Sequence, residues 1–106
     1  PRDTDDRRVL VPLLRQMSEE IADRLGKERM AARTIQVKVR YADFRTITRQ
    51  TSLEEPVESA AEIFSMACAI LRREKVVNQP LRLIGIGVSG LVPPSTQLRL
   101  PLPDFG

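Results

Sequence analysis

Residues Gly85 to Gly90 spell the letters of a dinucleotide-binding motif, G-x-G-x-x-G. In that motif the glycines form a turn that opens a helix, and the N-terminus of the helix holds a pyrophosphate. Here they lie inside an apolar run, and Leu91-Val92-Pro93-Pro94 follows, which does not open a helix. We therefore interpret residues 81–91 as a buried strand. Its glycines allow close approach of a ligand or of a packed helix, or mark a bulge.

Other residues that could do chemistry lack the partners that the chemistry requires. Histidine is absent, which removes the commonest general base and metal ligand. Cys68 lies in an apolar helical stripe without a base, so we interpret it as a core residue. As the single cysteine it forms no internal disulfide, which is consistent with a reducing compartment. Asp3, Asp5 and Asp6 are typical of a helix start rather than a metal cluster. The sequence thus predicts no active site, metal or cofactor in this chain.

The stretch from residue 33 to residue 53 predicts two strands joined at Ala42-Asp43. In the first strand every second residue is apolar, which is the period of a strand with one buried face: Ile35, Val37, Val39 and Tyr41. A loop of two residues is our prediction, and the core-side pairs are then Tyr41 with Phe44, Val39 with Thr46 and Val37 with Thr48. In the alternative, a loop one residue longer flips the second strand and buries Ile47 instead.

Basic side chains are concentrated on this hairpin, in which Asp43 is the single acid. With the two-residue loop, four of them share the open face of the sheet: Lys38, Arg40, Arg45 and Arg49. One interpretation is a solvated face, since antiparallel sheets often leave one side wet. The other is a phosphate-binding surface, to which guanidinium groups and the hydroxyls of Thr46 and Thr48 are suited.

The kind of partner follows from what this face lacks. Aromatic residues make up 4% of the chain, and the predicted open face has none on which bases would stack. This disfavours a single-strand or RNA binder and indicates a duplex backbone bound with little sequence preference. The rival function is a ferredoxin-like protein-interaction or regulatory module whose cationic face contacts an acidic protein.

The order of elements predicts an α+β fold. An amphipathic helix over residues 9–25 precedes the hairpin, with Gly26 as its stop, and a second helix begins at Glu54-Glu55-Pro56 and runs to about Lys75. Helix, strand, strand, helix, strand is the ferredoxin-like βαββαβ pattern lacking its first strand, with both helices on one sheet face. We expect that strand to precede Pro1, and its empty position to be open to the tail, a partner chain or a second copy of the chain. No apolar run reaches membrane-spanning length.

We assign residues 1–92 to one DNA-binding domain and residues 93–106 to a tail. The tail contains QLRLPL, in which three leucines follow one another at alternate positions. Such a segment either docks in the apolar pockets of a partner as a linear motif or packs back on its own domain. From the residues alone both alternatives stay open.

The chain resembles the C-terminal "little finger" domain of Y-family DNA polymerases, of the DNA polymerase IV type. Three consecutive parts carry the resemblance: ARTIQVKVRYADFRTITRQTSL, then a helix, then PLRLIGIGVSGL. The resemblance covers nearly the whole chain. It implies a four-stranded sheet backed by two helices, which grips the phosphate backbone of primer–template duplex in a translesion polymerase. It also implies a cytoplasmic protein, and DNA contacts for seven residues: Lys38, Arg40, Arg45, Thr46, Thr48, Arg49 and Arg82.

Two further expectations come from the same resemblance. QLRLPL is similar to the sliding-clamp-binding motif at the end of bacterial members, with four anchors: Gln97, Leu98, Leu100 and Leu102. The polymerase chemistry of the family uses Mg²⁺ held by carboxylates of a separate palm domain, and none of those residues is in this chain. The resemblance therefore implies that this chain binds and does not catalyse.

Overall fold

The computed structural model describes residues 3–94, which form two helices and three strands. In chain order the elements are α1 (Arg7–Glu28), β1 (Ala31–Tyr41), β2 (Thr46–Val57), α2 (Ala60–Arg73) and β3 (Leu81–Val92). The predicted α+β class and order of elements are confirmed. Within residues 3–94, no helix has the length and apolarity needed to cross a membrane. The four predicted anchors of the tail lie outside the described residues: Gln97, Leu98, Leu100 and Leu102.

α1 begins earlier and ends later than its apolar period predicts. Asp6 caps its start by accepting a hydrogen bond from the Arg8 amide at 2.9 Å, and the Arg8 side chain contacts the same carboxylate. These bonds, the side-chain one foremost, lower the pKa of Asp6. At the other end the helix continues past Gly26 to Glu28, and Arg29 takes the left-handed conformation with φ 56°. Its amide donates to the Gly26 carbonyl, so the stop lies three residues beyond the predicted glycine.

α2 begins later than predicted, because Glu54, Glu55 and Pro56 belong to β2. β2 is an edge strand of the sheet, and an edge strand tolerates the missing N–H of proline. The helix start is instead a capping box: the Ser59 hydroxyl accepts from the Glu62 amide at 3.1 Å, and the Glu62 carboxylate accepts from the Ser59 amide at 3.3 Å.

The sheet has the strand order β2-β1-β3, and both pairings are antiparallel. α1 and α2 cover one face of it. The core lies between these layers and combines the alternating apolar residues of β1 with buried residues of the helices: Ile35, Val37, Val39, Tyr41, Leu10, Leu14, Ile63, Ala67 and Ile70. Among residues 3–94, none of the elements covers the opposite face of the sheet, which we call the open face.

The edge of β3 that faces away from β1 carries one bridge from the start of the chain. Thr4 and Leu81 exchange two backbone hydrogen bonds, of 2.9 and 2.7 Å. The segment before α1 therefore runs antiparallel beside the start of β3. An additional first strand, continuing this pairing along β3, stays a prediction.

The capping box gives a direct stability prediction. Ser59→Ala removes the acceptor for the Glu62 amide, and we expect it to lower the free energy of unfolding by about 1 kcal/mol and the melting temperature by about 4–8 °C. Circular dichroism during urea and thermal unfolding measures both. Ser65→Ala is the matched control, since Ser65 is exposed inside α2 and alanine is the better helix former there. Equal losses for the two variants would contradict a capping role.

Candidate nucleic-acid interface

Residues 42–45 separate β1 from β2, and the hydrogen bond that closes the hairpin leaves three of them in the loop: Ala42, Asp43 and Phe44. The Tyr41 amide donates to the Arg45 carbonyl at 2.8 Å and closes the hairpin, while the Phe44 amide donates to the Tyr41 carbonyl at 2.8 Å. Phe44 takes the left-handed conformation with φ 70°, and the Asp43 carboxylate accepts from the Arg45 amide at 3.0 Å. This is the usual geometry of a three-residue hairpin loop. The predicted two-residue loop is wrong, and the longer alternative is correct.

The extra loop residue turns β2 over relative to the prediction. Val39 lies opposite Ile47, and Val37 lies opposite Arg49. Because Val37 and Val39 face the helices, Ile47 packs against the core, and Arg49 lies on the helix-covered face as well. Arg45, two residues before Ile47, shares that side.

The contacts of the two arginines agree with this placement. The Arg45 guanidinium lies 4.8 Å from the ring centroid of the buried Tyr41, and its Nε is 3.9 Å from the Asp43 carboxylate. The Arg49 Nε is 3.6 Å from a carboxylate oxygen of Glu74, at the end of α2. The prediction that Arg45 and Arg49 share the open face with Lys38 and Arg40 is therefore wrong, because it rested on the shorter loop.

The open face presents a polar surface built around β1. Lys38 lies opposite Thr48 and Arg40 opposite Thr46, and the Arg40 Nε donates to the Thr46 hydroxyl at 3.0 Å. Of the seven side chains predicted to contact DNA, these four share the open face. With their register neighbours they form what we call the open-face set: Thr34, Gln36, Lys38 and Arg40 of β1, Thr46, Thr48, Gln50 and Ser52 of β2, and Leu83, Gly85, Gly87 and Ser89 of β3. The set contains no carboxylate.

Among the uncharged polar members of this set, sequence reasoning named Thr46 and Thr48 as DNA contacts and missed the others. Thr34 and Gln36 alternate with Val37 and Ile35 in the same way as Lys38 does, so the period of β1 was the signal that places them. The face on which Gln50 and Ser52 lie depends on the length of the loop, and the sequence pattern alone did not place them. The Thr34 and Ser52 hydroxyls lie 3.5 Å apart across the two strands.

Arg82 lies at the margin of the open face. Arg40 pairs with Leu83 and Tyr41 with Leu81, so Arg82 is the extra residue of an irregularity in β3. Its Nη1 is 3.6 Å from the Asp3 carboxylate, and its guanidinium lies 4.5 Å from the ring centroid of Phe44. Its charge is thus held at the hairpin end of the sheet, beside an acid.

Two other predicted features are found where the sequence placed them. The G-x-G-x-x-G segment lies inside β3, and it opens no helix within the described part of the chain. Cys68 is partly buried on α2 and packs against the core.

The comparison with family models decides the family. Residues 1–101 match the impB/mucB/samB family C-terminal domain. The chain belongs to this family. The resemblance to the C-terminal domain of Y-family polymerases of the DNA polymerase IV type is thereby confirmed.

Two curated relatives of this family member carry the same name. The chain is 40% identical over 78 residues to a DNA polymerase IV of Desulfatibacillum aliphaticivorans, a match that covers 74% of the chain and 20% of the relative. It is 38% identical over 91 residues to a DNA polymerase IV of Halorhodospira halophila, covering 86% of the chain and 26% of that protein. The chain thus spans about a quarter or less of the length of these relatives.

Solved structures share the fold of this family member. An insertion ternary complex of Dbh DNA polymerase matches with a TM-score of 0.74 at 19% identity, over 88% of the chain and 26% of the polymerase. The little finger domain of PolIV, solved in complex with the beta-clamp processivity factor, matches with a TM-score of 0.66 at 20% identity, over 86% of the chain and 81% of that domain. At these identities the likeness establishes the fold.

The corrected register of this domain is open to a direct test. Ile47→Thr puts a hydroxyl on the core side of β2, and we expect a loss of about 1–3 kcal/mol in the free energy of unfolding. Thr48→Val changes the neighbouring residue on the open face, and we expect a change within about 0.5 kcal/mol. Both changes keep a β-branched side chain, so urea unfolding of the two variants compares the faces alone. A larger loss of unfolding free energy for Thr48→Val than for Ile47→Thr would contradict this register and support the two-residue loop instead.

Proposed function

We propose that this chain is the duplex-DNA-binding domain of a Y-family polymerase, and that the open-face set contacts the sugar-phosphate backbone. The observation that carries the proposal is the placement of Lys38 and Arg40 on the central strand, flanked by threonine hydroxyls within a set of side chains that contains no carboxylate. Cationic and hydroxyl groups together match the oxygens of a phosphate backbone.

Little sequence preference is expected of such a contact. Base readout in a duplex requires side chains that enter a groove and reach the base edges, typically from an inserted helix or a two-stranded ribbon. In this domain both helices cover the opposite face of the sheet, and the open-face set contains no aromatic residue. Contacts to phosphate alone carry no sequence information. A loose grip of this kind suits a polymerase that copies distorted templates.

The activity of the whole protein is part of the same proposal. We infer that the chain comes from a DNA-directed DNA polymerase, since its curated relatives are named DNA polymerase IV. Nucleotidyl transfer with Mg²⁺ would take place in a palm domain outside this chain, and the open face would hold the primer–template duplex beside it. A cytoplasmic location is part of this proposal.

The salt dependence of duplex binding tests the open face. Lys38→Ala and Arg40→Ala are each expected to weaken binding to all sequences and to reduce the slope of log K against log salt by about 0.9. Fluorescence anisotropy of a labelled primer–template duplex, titrated with the chain at several salt concentrations, gives affinity and slope together.

The matched control removes a charge of the same sign on the helical side. Arg73 ion-pairs with Glu74 at 3.3 Å, and Arg73→Ala is expected to leave the slope unchanged. Arg49→Ala should resemble the Arg73 control, because its guanidinium also lies beside Glu74. If Lys38→Ala and Arg73→Ala weaken binding equally, duplex binding depends on the net charge of the domain and not on contacts at the open face. If the folded wild type does not bind at low salt, the rival protein-interaction module is favoured.

A second function is favoured by a specific neighbour, the PolIV little finger solved with the beta-clamp processivity factor. We propose that the QLRLPL segment of this chain docks on a sliding clamp. Leu98, Leu100 and Leu102 would enter apolar pockets of the clamp, and Gln97 would supply a polar contact at the rim. A peptide segment that binds in this way gains affinity from a few buried side chains.

The clamp proposal predicts a separation of the two binding activities. The double variant Leu98→Ala, Leu100→Ala is expected to bind a bacterial sliding clamp at least about a hundredfold more weakly, because two leucine burials are lost. Its duplex affinity should be unchanged. Thr96→Ala is the control for a change in the same segment. A fall in the melting temperature of the double variant, with clamp binding retained, would indicate instead that the leucines pack on their own domain.

A further inference from the structure

Glycine in the interior of a strand weakens the strand, because it costs more conformational entropy on folding and offers no side chain to pack. β3 contains three glycines, and two of them are accounted for by the fold. Gly90 has φ 64°, a conformation that side chains rarely adopt. At Gly87 an added Cβ would lie 3.3 Å from the Gln36 Nε2, because the Gln36 side chain covers this peptide.

Gly85 is not accounted for in the same way. Its φ is outside the left-handed region, and an added Cβ would meet no atom of residues 3–94 within 4 Å. An alanine would therefore fit the backbone and the space at this position. The described fold supplies no reason for the missing side chain, which points to a reason outside the domain.

The surroundings of Gly85 indicate what approaches it. Gly85 belongs to the open face and lies opposite Lys38. On its own strand Leu83, 49% exposed, stands two residues away on the same face, and on the other side Gln36 lies over Gly87. Gly85 is thus a half-buried residue with open space where a Cβ would lie, between the side chains of Leu83 and Gln36. The neighbouring charge is the positive charge of Lys38.

On the basis of the duplex-binding function proposed above, we propose that Gly85 is the point of closest approach of the DNA backbone. A sugar-phosphate segment lies directly on the Gly85 peptide, between Leu83 and Gln36, while Lys38 neutralises a phosphate. Gly85 is a positioning residue in this arrangement, since its lack of a side chain determines how deeply the duplex lies on the sheet.

A methyl group at this position has a distinctive effect. The methyl group lies between the Gly85 peptide and the DNA, so it holds the DNA backbone farther from the sheet. The short-range contacts between the DNA backbone and the sheet are thereby weakened. Lysine has a long flexible stem, so Lys38 follows the phosphate and keeps its ionic contact. Gly85→Ala should therefore lower the affinity at every salt concentration and retain the salt slope, whereas Lys38→Ala changes the slope.

The experiment compares Gly85→Ala with Gly26→Ala. Gly26 lies on α1, away from the open face, and an added Cβ there also meets nothing within 4 Å. Duplex anisotropy over a salt series gives affinity, and circular dichroism gives the melting temperature. We expect Gly85→Ala to bind the primer–template duplex about tenfold more weakly, a loss of about 1.4 kcal/mol that reflects the weakened short-range contacts. Both variants should melt at or above the wild-type temperature, and Gly26→Ala should bind as the wild type does.

The outcomes separate this inference from the function on which it rests. In one outcome the wild type binds, Lys38→Ala weakens binding and Gly85→Ala binds normally. The close approach at Gly85 is then overturned, while the proposed DNA contact at the open face is supported. If Gly85→Ala lowers the melting temperature together with the affinity, the glycine serves the fold and the inference is again overturned. If folded wild type does not bind duplex at low salt, both fail. Gly85→Val, with a larger side chain at the same point, should bind more weakly than Gly85→Ala.

Discussion

The length of the hairpin loop is the constraint on which the arrangement of the binding face depends. Tyr41 is buried, and its hydroxyl donates to the Val76 carbonyl at 2.6 Å, which fixes the end of β1 against the segment after α2. The hairpin closes on the same residue, through its bond to the Arg45 carbonyl. Because side chains alternate along a strand, this closure determines for every residue of β2 whether it faces the helices or the open side.

The sequence predicted β1 well and β2 poorly, and the reason is physical. In β1 the alternation of apolar and polar residues is regular and one face is fully buried, so the placement of Lys38 and Arg40 needed no further information. In β2, Thr46 to Thr51 are mostly exposed on both faces because it is an edge strand, and its pattern is weak. Register then depends on Phe44 adopting φ 70°, which a sequence without glycine or asparagine at that position does not indicate.

The start of α2 was misplaced for a related reason. Proline after two glutamates is a common helix start, but Pro56 also fits the edge of a sheet, where no partner requires its missing N–H. The competing signal, Ser59 followed by Glu62, satisfies two amides at the helix start and therefore determines where the helix begins. Single-residue preferences were less informative here than the reciprocal pair of hydrogen bonds.

The basic residues of the hairpin serve two different purposes according to face. On the helix-covered side, Arg45 lies beside Asp43 and Tyr41, and Arg49 shares the Glu74 carboxylate with Arg73. Both arginines thus have an acidic neighbour within the domain, and the Arg49–Glu74 pair connects β2 to the end of α2. On the open side, Lys38 and Arg40 have hydroxyl and amide neighbours and no carboxylate in register. Charges that the domain itself leaves unmatched attract an external polyanion most strongly. The flip of β2 thus concentrates the proposed DNA contact on the central strand β1. The close approach proposed at Gly85, on the neighbouring strand β3, would add short-range contacts to the long-range attraction.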